Sequence, residues 1–189
     1  MKVFFDTEFT GLHKNTTLLS IGLVAENNKT FYAEFNDYDP DQVDDWIRRN
    51  VISKMMWGSR HDTERIYTGV DGHVTMLGDK AYVASRLAEW LNKLEAPVEL
   101  VSDCCHYDMV LFADIFGSAF DIPACVAPVC YDINQDVARY LHVSAKEAFD
   151  VSREGFLKER NIEVPGELKH NALFDARVIW VIYNVVKNG

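Results

Sequence analysis

The first 35 residues contain three segments of strand-type sequence joined by short connections. These segments are rich in β-branched and aromatic residues, and they run from Lys2 to Asp6, from Leu18 to Ala25 and from Thr30 to Phe35. Strands this close in sequence pair most easily with their neighbours in an antiparallel arrangement. The sequence therefore predicts an antiparallel meander at this point of the fold.

The rest of the chain alternates helix-type and strand-type segments. Apolar residues recur at helical spacing between Asp79 and Leu94, and such a stripe indicates an amphipathic helix. The next strand, from Pro97 to Val101, is expected to lie parallel to the first. The other predicted elements are a helix over 107–116, a short strand over 127–131, helices over 133–141 and 145–160, and a final helix to about Lys187.

These elements predict an α/β fold with a mixed five-stranded sheet, three antiparallel strands and then parallel strands, flanked by helices. We expect one domain over residues 1–189, because this length and 48% hydrophobic residues suffice for one buried core. A segment at about 52–78 has no clear pattern and is predicted to be an insertion.

Two acidic residues lie at the end of the first strand-type segment. Side chains alternate between the faces of a strand, so Asp6 and Glu8 are predicted to present two carboxylates on one side. Two adjacent carboxylates repel unless a cation joins them, and carboxylate oxygens suit hard ions such as Mg²⁺ and Mn²⁺. The pair predicts a metal site, and its alternative is a solvated strand end.

A longer motif surrounds this pair, and a second, different motif lies near the end of the chain. Residues 6–12 read Asp-Thr-Glu-Phe-Thr-Gly-Leu, and residues 170–176 read His-Asn-Ala-Leu-Phe-Asp-Ala. The first resembles the D-x-E-T-T-G-L motif of the DEDD superfamily of 3'-to-5' exonucleases, and the second resembles the H-x-A-L-x-D-A motif of its histidine-bearing DEDDh branch, which includes small exoribonucleases. The chain departs from the first motif at Phe9, where threonine is commonest.

The family's second motif requires an aspartate at the opening of a helix after a middle strand. Its usual wording, N-x-x-F-D or Y-D, favours Asp108, which follows Tyr107 and precedes an apolar run. Asp103 is the alternative, because it lies at the carboxyl end of the predicted strand, where sites of open α/β sheets form. Asp103 can instead be interpreted as a helix cap.

The resemblance implies a ribonuclease-H-like fold and hydrolysis of phosphodiester bonds from the 3' end of single-stranded nucleic acid. It implies two divalent ions, Mg²⁺ or Mn²⁺, that activate water and neutralise charge on the phosphoryl group. The implied metal ligands are Asp6, Glu8, Asp108 and Asp175, with Asp6 between the ions. His170 is implied to take the proton from the attacking water and completes the catalytic set.

The spacing of His170 and Asp175 constrains their placement. Five residues along a helix correspond to a rotation of about 140°, which would not place both side chains on one face. We therefore expect His170 at or before the first helical turn and Asp175 within the helix.

By the same resemblance, the substrate-binding residues are Thr7, Phe9, Thr10 and Leu12. Leu12 would pack beside the terminal base, and Thr10 or the backbone near Phe9 would contact the terminal sugar. Phe9 can either stack on a base or point into the core. The compact build and the Tyr107-Asp108 wording favour RNA as substrate, and DNA stays open because contact with a 2'-hydroxyl leaves no sequence signature.

Two other functions are compatible with this fold. One is a binding domain that has lost turnover, although all five implied catalytic residues are present. The other is an endonuclease, since a fold alone does not determine the reaction. A homodimer is also possible, as for relatives of this kind.

The charge of the chain bears on the mode of binding. The net charge is −10, with 29 acidic and 19 basic residues, which argues against tight binding of long nucleic acid through many phosphates. An enzyme that binds one 3' end remains compatible. The basic residues before His170 either line the entrance to the site or form a solvated face: Lys146, Arg153, Lys158, Arg160 and Lys169.

The remaining features carry less information. Basic and aromatic residues alternate over 57–62 and 65–67, which fits either a nucleic-acid contact or a loop with a buried tryptophan. The spacing of Cys104, Cys105, Cys125 and Cys130 favours reduced thiols over a zinc site. Neither a signal peptide nor a membrane span is recognisable, so we expect a cytoplasmic protein without a membrane partner.

Overall fold

A computed structural model of the protein describes residues 1–58 and 65–188. It confirms the antiparallel meander, which consists of β1 (Lys2–Phe9), β2 (Leu18–Ala25) and β3 (Thr30–Phe35). β1 is longer than predicted and reaches Phe9, so both acids of the first motif lie inside a strand.

In the described part of the chain the sheet has seven strands, so the prediction of five is wrong. The additional strands are β4 (Ile66–Val70) and β5 (His73–Gly78), which lie within the supposed insertion and extend the sheet beside β3. Asp71 and Gly72 connect them with φ values of 51° and 86°. An Asp-Gly pair with positive φ at both positions forms the favoured two-residue hairpin turn.

The other half of the sheet is built from parallel strands. Asp79 caps α2 (Lys80–Leu91), which leads to β6 (Val98–Ser102), and β6 pairs in parallel with β1 as predicted. α3 (Cys105–Ile115) connects β6 to β7 (Val126–Asp132), which pairs in parallel with β6. The resulting strand order is β4-β5-β3-β2-β1-β6-β7.

The predicted helix over 145–160 is in fact two short helices. Ser152 caps the second of them and accepts a hydrogen bond from Gly155, so the helical path restarts there. The described helices not yet named are α1 (Asp45–Asn50), α4 (Ile133–Leu141), α5 (Ala145–Asp150), α6 (Arg153–Lys158) and α7 (Ala172–Asn188). No helix in the described ranges is long and apolar enough to cross a membrane.

Helices cover both faces of the sheet. Val3 and Phe5 of β1 belong to a core shared with α2 and α3, whereas Phe4 belongs to a core shared with α4, α5, α6 and α7. A third, smaller core gathers α1 and the turn after it around Leu19 of β2. Since side chains alternate along a strand, Asp6 and Glu8 point to the same face as Phe4, the face covered by α7.

α7 lies very close to the sheet at its first turn. A Cβ atom on Gly22 of β2 would lie 2.3 Å from the nitrogen of Leu173 and 2.4 Å from the carbonyl carbon of Ala172. Gly22 is the partner of Asp6 in the β1–β2 register. The absence of a side chain at Gly22 therefore allows α7 to approach the acidic end of β1.

Candidate metal centre

Three separated parts of the chain meet at the carboxyl end of β1. Asp6 and Glu8 come from this central strand, Asp108 comes from the first turn of α3, and Asp175 comes from the first turn of α7. His170 precedes α7 by two residues. The five residues of the predicted catalytic set are thus brought together by β1, α3 and α7.

Asp108 is the most buried carboxylate of this group, with 1% of the residue exposed. Its Oδ1 atom accepts a hydrogen bond of 2.5 Å from the hydroxyl of Thr7, and its Oδ2 atom accepts one from the hydroxyl of Ser102. Burial raises the pKa of Asp108 to about 7, although these two hydrogen bonds act in the opposite direction. β1 and β6 therefore hold this carboxyl in a fixed orientation at the site.

His170 lies before the first turn of α7, as its spacing from Asp175 required. Its φ is 67°, and its backbone N–H donates a hydrogen bond of 2.8 Å to Oδ2 of Asp175. Its Nδ1 atom lies 3.6 Å from Oε1 of Glu8. The Glu8 carboxylate raises the pKa of His170, and this effect outweighs the burial that lowers it.

The carboxylates form two adjacent clusters of potential ligand atoms. One donor atom each from Glu8, His170 and Asp175 lie within 4.8 Å of one another, and the same holds for Asp6, Asp103 and Asp108. Acidic groups also cluster without an ion, so this clustering does not by itself indicate a metal site.

The environment of Asp6 supplies an independent observation. Its Oδ2 atom is buried, and no hydrogen-bonding group in the described part of the chain contacts it. Burial, and then the charge of Asp108, raises the pKa of Asp6 well above its usual range, and burial likewise raises the pKa of Asp175 to about 7. A buried oxygen without a partner is costly. A divalent cation fits this set, since it would both contact this oxygen and offset the repulsion.

Asp103, the alternative to Asp108, is also close to the site. Its Oδ2 atom accepts a hydrogen bond of 3.1 Å from Nε of Arg153. A second nitrogen of the same guanidinium, Nη2, donates to Oδ1 of Asn134. The interpretation of Asp103 as a helix cap is wrong, because Cys104 occupies the cap position of α3 without a side-chain hydrogen bond. Asp103 is therefore a cluster member whose charge is already balanced by an arginine.

A cavity of about 410 Å³ opens beside Glu8 and His170. Leu12 and Trp46 border it with 72% and 55% of their surface exposed. The ring of Trp46 meets that of His170 edge-on, with 5.3 Å between the ring centroids. Trp46 was not among the predicted site residues. The sequence offered one signal for its surroundings: Asp44 is a cap residue, which indicates that a short helix, α1, begins there.

The other predicted substrate-binding residues lie mostly inside the protein. Thr7 and Thr10 are buried, and the Thr10 hydroxyl donates a hydrogen bond of 2.6 Å to Gln42. Both hydroxyls are occupied within the protein, so a substrate contact through them is not supported. Phe9 stacks on Tyr107, with 5.9 Å between the ring centroids, and packs against the first core; it also lines the cavity.

The basic residues divide into two groups. Arg153 and Lys169 line a second cavity, of about 360 Å³, which contains the four acids of the predicted site. Lys146 pairs with Asp150 at the surface, and Lys158 is exposed outside this cavity. Arg160 lies over the ring of Phe156. The prediction of a basic entrance therefore applies to two of the five residues named.

The strip after Trp57 falls partly on residues 59–64, which lie outside the described residues. Arg65 is ion-paired with Asp79 beside α2, and Tyr67 lies on β4, four strands away from β1 in the sheet order. This part of the strip is therefore remote from the acids. The cysteines are free thiols, and within the described ranges none belongs to a cluster of three potential metal ligands.

Comparison with known families gives a match over nearly the whole chain. The family model described as the 3'-5' exoribonuclease Rv2179c-like domain matches residues 1–186. The 3'-5' exoribonuclease Rv2179c of Mycobacterium tuberculosis strain H37Rv is 36% identical over 66 residues, which cover 32% of this chain and 39% of that protein. The 3'-5' exoribonuclease MT2234.1 of strain CDC 1551 gives the same values. The chain thus spans 39% of the length of these curated relatives.

Several solved structures share the fold. The RNase domain of the yeast Pop2 protein aligns with a TM-score of 0.67 and 13% identity over 99% of this chain and 77% of that chain. The S. pombe Pop2p structure with bound Mg²⁺ and Mn²⁺ aligns with a TM-score of 0.61 and 16% identity over 99% and 82%. The 3'-exonuclease in a structure of histone mRNA stem-loop recognition gives 0.66 and 13% over 100% and 64%. These matches agree with a ribonuclease-H-like α/β fold.

Proposed function

Since the chain belongs to the family of Rv2179c-like 3'-5' exoribonuclease domains, we propose that it is a DEDDh-type exonuclease that hydrolyses single-stranded RNA from the 3' end with two divalent ions. The observation that carries this proposal is the convergence of Asp6, Glu8, Asp108, Asp175 and His170 around a buried carboxylate oxygen that has no protein partner in the described part of the chain.

The four carboxylates are proposed to hold the ions, Mg²⁺ or Mn²⁺. When bound, the ions supply a nucleophilic water and neutralise charge on the phosphoryl group. Thr7 and Ser102 orient Asp108 through its two oxygens. The backbone N–H of His170 orients Asp175. The protein thereby fixes its ligand atoms before substrate arrives.

His170 is the proposed general base. It borders both the cavity that contains the acids and the cavity beneath Trp46, so it stands where the two meet. Imidazole is suited to accept a proton near neutral pH. The Glu8 carboxylate beside Nδ1 stabilises the imidazolium that forms when the proton is taken.

The terminal nucleoside is proposed to occupy the 410 Å³ cavity between Leu12 and Trp46. Two exposed apolar side chains can contact the faces of a base without reading its identity, which suits a substrate of any sequence. Phe9 and Thr10 line the same cavity, and their backbone groups are the proposed contacts with the ribose. Arg153 and Lys169 line the cavity that contains the acids, where they are paired with Asp103 and Glu154.

A time course with 5'-labelled single-stranded RNA tests the proposal. We expect a ladder that shortens from the 3' end in Mn²⁺ or Mg²⁺ and that disappears in EDTA. DNA of the same sequence should react more slowly, and RNA with a blocked 3' end should stay intact. Cleavage of the blocked RNA would instead indicate an endonuclease, faster cleavage of DNA would indicate a deoxyribonuclease, and binding without cleavage would indicate a silent binding domain.

A further inference from the structure

Asn171 connects His170 to α7, and its side chain forms hydrogen bonds in two directions. Its Oδ1 atom accepts a hydrogen bond of 3.1 Å from the N–H of Phe174, which is the geometry of a helix cap. Its Nδ2 atom donates a hydrogen bond of 2.9 Å to the carbonyl of Lys54, 117 positions earlier in the chain. The cap is local, whereas the second bond fastens the start of α7 to a distant turn.

This distant turn is a firm anchor. Val51, Ile52 and Met55, which flank Lys54, are buried in the third core. Beyond them, the buried carboxylate of Glu34 accepts hydrogen bonds from the N–H groups of Met56, at 2.5 Å, and of Trp57. The Lys54 carbonyl is therefore held on both sides by contacts that do not involve the catalytic residues.

His170 needs such an anchor because its backbone is unfavourable. It adopts a φ of 67°, in the left-handed region that residues other than glycine rarely occupy. Its own N–H is held by Asp175 on one side, and the next residue is held by Lys54 on the other. These two attachments fix the direction in which the imidazole leaves the backbone.

We propose that Asn171 is a positioning residue that acts through His170, an inference that rests on the proposed function. Its bond to the Lys54 carbonyl keeps the imidazole aligned for proton transfer, in addition to the cap that Asn171 provides for α7. The two roles are separable, because the cap requires only an oxygen and the anchor requires the amide donor.

The variant Asn171→Ser separates them. Serine retains a capping oxygen, is uncharged, and is too short to reach the Lys54 carbonyl. We expect kcat on single-stranded RNA to fall about tenfold or more, since small misplacements of catalytic groups are costly, with an unchanged KM. The unfolding midpoint should fall only slightly, because one hydrogen bond is lost, and by a similar amount in the control variant that follows. The matched control is Asn184→Ser in the same helix, where the amide donates to the Trp180 carbonyl; this variant should retain wild-type kcat.

A comparison in a second background separates positioning from general damage. If Asn171 acts through His170, the double variant His170→Ala/Asn171→Ser should be no slower than His170→Ala alone, as measured in single turnovers. With an active wild type, two results would overturn the inference. One is an equal loss of rate when Asn171→Ser is introduced into the wild type and into His170→Ala, and the other is no loss of rate in Asn171→Ser. A wild type that hydrolyses no RNA in Mn²⁺ or Mg²⁺ would instead overturn the proposed function, and this inference with it.

Discussion

Asp6 is the residue at which folding and the proposed activity conflict most directly. Its carboxylate faces Asp108 and Glu8, and one of its oxygens is buried without a partner among the described residues. In the absence of a cation, such a group lowers stability, because burial and repulsion both disfavour its charged form. A bound cation would relieve both costs.

The variant Asp6→Asn tests this conflict. We expect hydrolysis of RNA to fall to background, because one ligand of the proposed ions is lost. In EDTA we expect the free energy of unfolding to rise by about 1–3 kcal/mol, because a buried charge is removed. Denaturant titration and the RNA assay measure the two effects. Asp150→Asn, at an exposed ion pair with Lys146, is the control and should change neither by a measurable amount. Wild-type turnover in Asp6→Asn would contradict the metal proposal.

The exposed ring of Trp46 beside the 410 Å³ cavity leads to a prediction about substrate binding. If a base stacks on its exposed ring, Trp46→Ala should raise KM for RNA about tenfold, whereas Trp46→Phe should retain most of the affinity. Steady-state kinetics on a short single-stranded RNA measures both. Phe120→Ala removes an aromatic ring that is 99% exposed and does not line this cavity, and it should leave KM unchanged. Equal KM values for the alanine variants at Trp46 and Phe120 would exclude a stacking role for Trp46.

At the scale of elements, the contact between α7 and β2 determines the geometry of the site. α7 carries Asp175 and is preceded by His170, and its first turn rests on the backbone of β2 at Gly22, opposite Asp6. Any displacement of α7 from the sheet would therefore move two of the five proposed catalytic residues relative to the other three.

Gly22→Ala tests this contact. The added Cβ would meet backbone atoms at 2.3–2.4 Å, so α7 must shift. We expect a loss of about 1–3 kcal/mol in the free energy of unfolding and a lower kcat. At Gly155 of α6 the nearest atoms to an added Cβ, those of Ser152, lie at 3.4 Å and beyond. Gly155→Ala should therefore keep full stability and activity. A Gly22→Ala protein as stable and active as the wild type would refute the tight contact.

At the scale of the whole molecule, the acidic site makes stability depend on pH. Burial raises the pKa of both Asp108 and Asp175 to about 7, above the value of about 4 expected in the unfolded chain. Between these values the folded state holds protons that the unfolded state has released. Their contribution to stability is complete below about pH 4 and is lost as the pH rises through about 7.

In EDTA we therefore expect a decline of the free energy of unfolding from pH 5 to pH 7, by up to about 1.4 kcal/mol per pH unit for each such carboxyl. Denaturant titrations at a series of pH values measure it. Asp108→Asn should make the decline shallower, which separates the site from acids elsewhere in the chain. If the site holds ions as proposed, Mn²⁺ should reduce or reverse the decline, because it would bind the ionised carboxylates of the folded state. Identical slopes for Asp108→Asn and wild type would contradict the assignment.

Local patterns predicted much of this architecture. Segments rich in β-branched and aromatic residues predicted β1, β2 and β3, and the helical spacing of apolar residues predicted α2, because burial of one face imposes a period of 3.6 on a helix. The hairpin of β4 and β5 was also predictable, since Asp71 and Gly72 are a local turn signal. The spacing of His170 and Asp175 correctly required His170 to precede its helix.

The sequence by itself thus determined the meander of β1, β2 and β3 and the helix-linked parallel strands after it. It also determined the residues that share a face of β1, because alternation along a strand is a property of the backbone. Only the tertiary structure decided that Arg153 balances Asp103, that Trp46 meets His170, and that Asn171 is fastened to Lys54. These contacts join residues far apart in the chain, and their existence depends on how α1, α6 and α7 pack against the sheet. No local period encodes that packing.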